Sequence, residues 1–484
     1  MTAYEMVVGL EVHVELATRT KLFCACSAAF GGAPNTHCCP VCSGMPGALP
    51  VLNRRVVDLA IATGLALGCR ITRHTQFDRK NYFYPDLPKA YQISQLYMPI
   101  CRGGSVQIDV GGVQKTVRIH EIHMEEDAGK LVHDPWTDRT MADYNRCGVP
   151  LLEIVSEPDM RSPEEVVAYL EKLRATLQYL GVSDCKMQEG SLRADVNLSV
   201  RPVGSEALGT RTEMKNLNSF KAIARAVVGE FRRQVELLQD GRAVRQETRR
   251  WDDNKDTSFA MRSKEDAQDY RYFPEPDLPP LVIDEAWIER VRASLSELAE
   301  AKIARFQRDM GLSERDARAL TAEKPLCDLF EQTAARCGRP KDAANWVMGE
   351  VRAALKARGL APDALTLAPE ALARIVLLTA QGDLARDGAR EALQAAMDAS
   401  PDAPLDVDAF ARAHGLLLAR DDGACDRAVR EALQAFPAEV ARCRAGEEKL
   451  VGFLVGQAMK RMPGRGDPRR VSELLREALR APDA

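Results

Sequence analysis

Near its beginning the chain reads Leu10-Glu11-Val12-His13-Val14-Glu15-Leu16. Apolar and polar side chains alternate along this stretch, and successive side chains of a β-strand point to opposite faces of a sheet. We therefore predict a strand with one apolar face in a core and a polar face that carries Glu11, His13 and Glu15. A solvated strand also alternates in this way. A histidine between two carboxylates, however, can bind a divalent metal or relay protons, so we interpret the polar face as a candidate site.

The composition is that of an ordinary soluble protein. The chain has 484 residues, of which 45% are hydrophobic and 28% charged, and a formal net charge of -4 at pH 7. This length is enough for two or three domains with separate cores. The negative charge argues against coating nucleic acid by bulk electrostatics but permits a local basic patch. We find no run of 18 or more apolar residues and no sign of a targeting segment, so we expect a cytoplasmic protein.

The sequence pattern changes near Asp284. Short alternating stretches with Gly and Pro turns precede this residue, whereas Ala, Leu, Arg and Glu recur with helical periodicity after it. The sequence therefore predicts an α+β fold, with a mixed-strand domain over residues 1–293. Two all-helical domains are predicted over residues 294–405 and 406–484, with soft boundaries.

Two local elements of the first domain are predicted from turn and capping signals. Residues 106–110 and 113–119 flank Gly111-Gly112, which is typical of a β-hairpin. Residues 164–180 follow Ser162-Pro163 and precede Gly181, as expected of a capped amphipathic helix.

Five of the 13 cysteines lie between Cys24 and Cys42. Two close pairs, Cys24 with Cys26 and Cys39 with Cys42, have the spacing that a tetrahedral zinc site requires. Cys38 could replace Cys39, although the Cys-x-x-Cys spacing favours Cys39. A disulfide framework is the weaker alternative, because the other cysteines are scattered singly. We therefore predict a small zinc knuckle over residues 24–42.

Carboxylates follow the predicted hairpin in unusual density. Residues 120–130 contain two histidines and four carboxylates, and Glu153 lies in an apolar, strand-like run, where a charge needs a partner. Such a segment is often only a solvated turn. A hard cation that binds nucleotide phosphates would also use these oxygens. The candidate ligands of one Mg²⁺ are Glu11, His13, either Glu125 or Glu126, and Glu153.

Residues 77–95 combine cations, carboxamides and aromatic residues, among them Lys80, Tyr82 and Tyr84. Aromatic rings can stack on a terminal base while cations hold phosphates, although local packing is an equal alternative. A further predicted strand has Asp195 and Asn197 on one polar face, which could contact a substrate or water. The sequence has no P-loop, so ATP, if used, would be held by carboxylates, metal and loop cations.

Together these residues resemble the B-subunit family of bacterial aspartyl/glutamyl-tRNA amidotransferases. The match spans nearly the entire chain, and its motifs are residues 8–16, 24–42, 77–95, 123–130, 151–159 and 270–277. The resemblance implies a cradle-like α/β catalytic domain, a helical domain and a helical tail domain that binds tRNA. It also implies two partners, an amidase-type A subunit and a small C subunit.

The resemblance further implies a reaction. ATP phosphorylates the side-chain carboxylate of Glu-tRNA(Gln), Asp-tRNA(Asn) or both, and ammonia from the A subunit then displaces phosphate. The sequence does not decide between the two tRNA substrates. The alternative is a non-catalytic, zinc-containing scaffold that binds tRNA for a partner enzyme.

Site roles also follow from the resemblance. Mg²⁺ would be held by His13, Glu126 and Glu153, whereas the reactive centre would be formed by Glu11, Glu125 and Lys80, with Lys80 facing phosphate. The zinc would be structural. The substrate end would meet Tyr82, Tyr84, Asp195 and Asn197, and tRNA phosphates would meet Lys460, Arg461 and Arg465 of the tail.

Overall fold

The computed structural model describes residues 3–263, 269–400, 402–419, 422–445, 447–462, 465–466 and 468–480. The chain forms two compact units, Met1–Leu298 and Ala299–Ala484. The first unit combines a large sheet with helices, and the described part of the second is almost entirely helical. The α+β class predicted from the sequence is confirmed. The finer division of the helical part near residue 405 stays a prediction.

The first unit is built mainly from strands. Its strands are β1 (Tyr4–Glu15), β2 (Arg70–Ile71), β3 (His74–Thr75), β4 (Asp78–Asn81), β5 (Tyr91–Ser94), β6 (Cys101–Arg102), β7 (Ser105–Val110), β8 (Val113–Glu126), β9 (Lys130–Asp134), β10 (Arg139–Asp143), β11 (Pro150–Ser156), β12 (Leu192–Pro202), β13 (Thr212–Lys215), β14 (Glu247–Asp252), β15 (Thr257–Ser263), β16 (Phe273–Pro274) and β17 (Leu281–Val282). Its described helices are α1 (Arg54–Ala66), α2 (Pro163–Tyr179), α3 (Phe220–Gln239) and α4 (Glu285–Ala293).

Ten strands form one sheet in the order β15-β14-β13-β12-β1-β11-β8-β6-β2, and β7 pairs with β8 outside this path. The predicted strand over residues 10–16 is the central strand β1, which lies antiparallel between β12 and β11. All pairings in this sheet are antiparallel except that of β13 with β14. The central position places the polar face of β1 between polar residues of both neighbours.

The apolar face of β1 lies in the main core. Val8, Val12 and Val14 are fully buried, and Leu10 is 1% exposed. They belong to one hydrophobic cluster that also contains residues of α1, α2 and α3. Burying each such side chain contributes about 1.5–3 kcal/mol. The helices α1, α2 and α3 therefore cover the apolar face of β1, and the polar side chains lie on its opposite face.

Both predicted local elements are confirmed. The hairpin is β7 and β8, with positive φ angles of 62° at Gly111 and 83° at Gly112, which suit a two-residue turn. Strand β8 continues to Glu126, beyond the predicted end. The predicted helix is α2, and the Ser162 side chain caps it by accepting from the Glu165 backbone N–H.

Smaller sheets flank the large one in the first unit. Strands β16, β4 and β5 form a three-stranded sheet, and β9 with β10 and β3 with β17 form two-stranded sheets. Strand β5 also contacts β8. The three-stranded sheet thereby brings residues 78–81 and 273–274 near the polar end of β8.

The second unit consists mainly of helices. They are α5 (Ala299–Met310), α6 (Glu314–Thr321), α7 (Lys324–Cys337), α8 (Pro340–Trp346), α9 (Arg352–Arg358), α10 (Pro369–Gln381), α11 (Arg386–Asp398), α12 (Val407–Ala413), α13 (Asp422–Ala435), α14 (Pro437–Arg444), α15 (Lys449–Met459) and α16 (Pro468–Arg480), with a π-helical turn at Val347–Val351, a 3-10 turn at Pro362–Ala364 and a parallel pair of short strands, β18 (Leu418–Ala419) and β19 (Arg465–Gly466). Within the described ranges, no helix has both the length and the apolar character needed to cross a membrane.

Candidate active site

A row of polar side chains crosses three adjacent strands. The register of β1, β11 and β8 pairs His13 with Glu153 and Glu153 with His123. The Glu153 Oε2 atom lies 3.4 Å from His13 Nε2 and 3.0 Å from His123 Nε2. Glu125 joins the row, with its Oε1 atom 3.5 Å from His13 Nε2. The sheet pairing itself therefore creates this arrangement.

His13, Glu125 and Glu153 each offer a ligand atom, and these three atoms lie within 4.8 Å of one another. We name these three residues the metal cluster. Mg²⁺ binds its ligands at about 2.0–2.1 Å, so ligand atoms lie roughly 3–4 Å apart around it. The imidazole and two carboxylates fit such a cation, with further positions left for water and phosphate oxygens.

The charges of the cluster are strongly coupled. Burial opposes the charged imidazole of His13, but Glu153 and Glu125 outweigh it and raise the pKa of His13 to about 9. The pKa of His123 is also raised, against the effect of burial, by Glu153 and Glu125. Burial would raise the pKa of Glu153, yet His123 and His13 hold it well below its usual range. Carboxylates that stabilise imidazolium charges in this way can stabilise a metal cation instead, and a cation that binds the imidazole of His13 would displace its proton.

Glu126 lies on the other face of β8. It is 2% exposed, and its Oε1 atom accepts hydrogen bonds from the Ile93 backbone N–H at 2.9 Å and from Lys89 Nζ. Of the residues predicted to hold Mg²⁺, the structure thus brings His13 and Glu153 together but not Glu126. Glu125, predicted for the reactive centre, occupies the third position.

A second group of carboxylates adjoins the metal cluster. Ligand atoms of Glu11, Asp195 and Glu213 lie within 4.8 Å of one another. Asn197 donates from Nδ2 to Glu11 Oε1 at 2.8 Å, and Lys215 Nζ bridges Asp195 and Glu213. Burial, followed by the charge of Glu153, raises the pKa of Glu11. The predicted residues Glu11, Asp195 and Asn197 therefore share one polar face with the cluster.

Lys80 is surrounded by tyrosine rings. Its Nζ atom lies 5.0 Å from the ring centre of Tyr270 and 5.8 Å from that of Tyr82. The Tyr82 ring centre lies 6.4 Å from that of Tyr84 and 5.9 Å from that of Tyr270. Burial opposes the charge of Lys80, but Tyr272, Glu125 and Glu153 produce a net rise in its pKa. Lys80 therefore stays cationic beside the metal cluster.

Residues 270–277, a motif noted in the sequence, also lie near Lys80. We name this segment the strap. Arg79 of β4 donates to both oxygens of Glu275, at 2.7 and 2.9 Å, and Asn81 Nδ2 donates to the Arg271 carbonyl at 2.8 Å. Sequence reasoning assigned no role to Tyr270 or Tyr272. Their ring centres lie 6.1 Å apart, and Arg271 between them has a positive φ of 47°, so the alternation of a strand could not have predicted their arrangement.

Four cysteines of the predicted knuckle converge. The Sγ atoms of Cys24, Cys26, Cys39 and Cys42 lie within 4.8 Å of one another, whereas Cys38 Sγ lies 4.0 Å from Asn145 Oδ1. Thiolates bound to zinc at about 2.3 Å are roughly 3.8 Å apart, and the Cys39 and Cys42 sulfurs are 3.9 Å apart.

The charge around these sulfurs also suits zinc. The hydrogen bond from Cys24 lowers the pKa of Cys42 to about 4, and Lys21 Nζ lies 3.6 Å from Cys42 Sγ. The four thiols therefore fit a closed zinc site.

The predicted tail cations belong to the second unit. Lys460 is exposed at the end of α15. The Arg461 guanidinium lies 5.4 Å from the Phe436 ring centre, and its Nη1 donates to the Gln457 carbonyl at 2.8 Å. Arg465 begins β19, and its side chain lies outside the described part of the structure, as do residues 463, 464 and 467.

Known proteins match the chain over its length. Residues 6–289 match the family model of the GatB/GatE catalytic domain, and residues 328–479 match that of the GatB domain. The chain is 58% identical over 479 residues to the B subunit of the aspartyl/glutamyl-tRNA(Asn/Gln) amidotransferase of Lachnoclostridium phytofermentans, covering 99% of each chain. Proteins of the same name from Agathobacter rectalis and an Anaeromyxobacter species are 56% and 52% identical. These matches cover 99% and 98% of this chain and 100% and 99% of the relatives.

The first match defines the class, a GatB/GatE-type catalytic domain on a mixed sheet. Within this class, the chain belongs to the family of B subunits of tRNA-dependent aspartyl/glutamyl-tRNA amidotransferases. The resemblance seen in the sequence is confirmed.

Proposed function

We propose that this chain carries the ATP-dependent step of aminoacyl-tRNA amidation. It phosphorylates the side-chain carboxylate of Glu-tRNA(Gln), Asp-tRNA(Asn) or both, and then passes the activated group to ammonia. An amidase-type A subunit supplies the ammonia, and a small C subunit completes the cytoplasmic complex. The name of the relatives supports this enzyme rather than a non-catalytic scaffold. The observation that carries the proposal is the convergence of His13, Glu125 and Glu153 beside Lys80.

The chemistry explains why the site needs both carboxylates and a cationic side chain. A carboxylate is a poor electrophile because it lacks a good leaving group. Transfer of the γ-phosphoryl group of ATP to one of its oxygens gives an acyl phosphate and ADP. Attack of ammonia at the carbonyl carbon then forms the amide and releases phosphate. Attack of one anion on another needs positive charge in the site, which bound Mg²⁺ supplies.

Each site residue has a task in this scheme. His13, Glu125 and Glu153 would hold Mg²⁺, while Lys80 offsets charge on the phosphoryl group. Tyr82 and Tyr84 offer rings on which the terminal adenosine can stack. Glu11, Asp195 and Asn197 lie on the same face and orient the substrate end by hydrogen bonds.

The zinc would be structural. The loop that carries the four cysteines is tied to the sheet domain through Lys21, whose Nζ donates to the carbonyls of His37 at 2.7 Å and Tyr144 at 3.2 Å. Zinc would therefore fix the position of this loop and take no part in the reaction.

Phosphate release tests the proposal. We expect the assembled complex to release γ-phosphate from ATP only with Mg²⁺ and charged tRNA, and a Glu125→Gln variant to need at least about tenfold more Mg²⁺. Glu164→Gln is the matched control, since it makes the same change at an exposed position of α2. Equal Mg²⁺ dependence of the wild type and the Glu125→Gln variant would contradict the assignment.

A further inference from the structure

Two tyrosines of the strap, Tyr270 and Tyr272, have no role in the scheme above. Both side chains are half-buried, whereas Arg271 between them and Phe273 after them are exposed. The two rings meet edge to face, with an angle of 77° between their planes, which is a preferred geometry of aromatic pairs. The strap therefore turns both rings inward and packs them against each other.

The strap backbone is held in an uncommon conformation. The positive φ of Arg271 lies in the left-handed region, which residues other than glycine rarely adopt. Such a conformation persists only where the surrounding contacts hold it. Asn81 supplies these contacts, because its backbone N–H donates to the Tyr270 carbonyl at 3.0 Å and its Nδ2 atom donates to the carbonyls of Tyr270 at 3.1 Å and Arg271 at 2.8 Å. The residue that follows Lys80 thus fixes the strap.

The strap in turn contacts Lys80. The Nζ atom of Lys80 lies over the rings of Tyr270 and Tyr82, 5.0 and 5.8 Å from their centres. An aromatic face attracts a cation at up to about 6 Å. Among the described residues, no group accepts a hydrogen bond from Lys80 Nζ, and no carboxylate forms an ion pair with it. The rings therefore hold the ammonium group while its N–H groups stay available to a ligand.

We propose that the strap is a positioning element for Lys80, in which the Tyr270 ring, packed against Tyr272, holds the ammonium group by a cation–π contact and leaves its N–H groups to the transferring phosphoryl group. This inference rests on the proposed function, in which Lys80 offsets charge on that group. A carboxylate in place of the ring would compete with phosphate for the ammonium group. An aromatic face attracts the charge without occupying the N–H groups in directed hydrogen bonds.

Two substitutions of Tyr270 distinguish a cation–π contact from simple packing. Tyr270→Phe keeps the ring face, whereas Tyr270→Leu replaces it by an aliphatic side chain. In ATP-dependent phosphate release by the assembled complex with Glu-tRNA(Gln), we expect Tyr270→Phe to stay within about twofold of the wild-type kcat and Tyr270→Leu to lose at least about tenfold, with KM for the charged tRNA changed by less than about threefold. Tyr97→Leu is the matched control and should keep the wild-type kcat, because Tyr97 is 53% exposed and has no ring contact with the described residues.

Labelling of Lys80 gives a second readout that needs no turnover. The complex is treated briefly with acetic anhydride, and peptide mass spectrometry compares acetylation of Lys80 with that of Lys115, which pairs with Glu165 at 2.7 Å and serves as the internal reference. We expect equal relative labelling of Lys80 in the wild type and Tyr270→Phe. In Tyr270→Leu the labelling should be at least about threefold faster, because the ring no longer covers the ammonium group.

The outcomes separate the two proposals. Equal loss of kcat in Tyr270→Phe and Tyr270→Leu would overturn the positioning role, as would a wild-type kcat or unchanged labelling of Lys80 in Tyr270→Leu. Tyr270→Met serves as a second ring-removing variant, to which the same expectations and the same contradicting results apply if Tyr270→Leu does not fold. Absence of phosphate release by the wild-type complex with either charged tRNA would overturn the proposed function instead, while the labelling of Lys80 would still test the contact.

Discussion

At the scale of single residues, the phase of one strand decides which of two adjacent glutamates reaches the site. Glu125 and Glu126 are both nearly fully buried, but they point to opposite faces of β8. Glu126 shares its face with the core residues Ile122 and Met124. Glu125 shares its face with His123 and lies beside His13. The alternation of Ile122 and Met124 was therefore the sequence signal that favoured Glu125, although composition alone could not separate the two.

Glu126→Gln should destabilise the protein without altering the metal cluster. The change leaves the Lys89 ammonium group buried without its carboxylate partner. Breaking a buried ion pair costs about 3–5 kcal/mol of unfolding free energy. Urea denaturation should show this loss, and Glu164→Gln, at an exposed position of α2, should show little change. A stable Glu126→Gln protein with impaired Mg²⁺ dependence would contradict the assignment of Glu126 to the Lys89 pair.

Two neighbouring cysteines provide a second test at this scale. Cys39 joins the four-sulfur group, whereas Cys38 Sγ faces Asn145. We expect Cys39→Ser to lose bound zinc and Cys38→Ser to retain one zinc per chain, as measured by elemental mass spectrometry of the purified protein. The reverse pattern would assign the ligand to Cys38.

At the scale of elements, local signals predicted the hairpin of β7 and β8 and the helix α2, because turn and cap residues act over a few positions. The row of polar side chains across β1, β11 and β8 could not be predicted from such local signals. His13 meets Glu153, and Asn81 meets Arg271, only through pairings between segments far apart in the chain. A single sequence shows that each strand has a polar face but not which strands are neighbours.

The strap should depend on the ion pair between Arg79 and Glu275. The Glu275 side chain is fully buried, so Arg79→Met leaves its charge without a partner. We expect a loss of about 3–5 kcal/mol in unfolding free energy and faster tryptic cleavage after Arg271.

The matched control for the strap is Arg118→Met. Arg118 also forms a two-pronged pair, with Asp159, but its side chain is 65% exposed. Exposed pairs contribute little to stability, so this variant should behave as the wild type. Unchanged cleavage after Arg271 in Arg79→Met would mean that other contacts hold the strap.

At the scale of the whole molecule, a net charge of -4 has to be reconciled with a polyanionic substrate. In the second unit, residues of α13, α15 and α16 pack in one hydrophobic cluster that includes Leu454 and Leu475. This packing fixes the helices that carry the cationic side chains. Lys460 and Arg461 lie at the end of α15. Local positive charge on these helices can bind phosphates despite the overall acidity.

Charge reversal of Lys460, Arg461 and Arg465 should weaken tRNA binding and flatten its salt dependence. Each phosphate contact contributes roughly 0.9 to the slope of log K against log salt concentration, so the slope should fall by about 2–3. Filter binding across a salt series measures both quantities. An unchanged affinity and slope would remove these residues from the tRNA interface.

Trapping of the activated carboxylate tests the central claim most directly. The complex is incubated with Glu-tRNA(Gln), ATP, Mg²⁺ and hydroxylamine, without glutamine. An acyl phosphate reacts with hydroxylamine to give a hydroxamate, so we predict glutamyl-γ-hydroxamate, distinct from the α-hydroxamate that cleavage of the ester gives. It should form only with ATP and be lost in Glu125→Gln at the Mg²⁺ concentration that just saturates the wild type. Hydroxamate that forms equally in the wild type and in this variant, or none at all in the wild type, would contradict a phosphorylation site built on His13, Glu125 and Glu153.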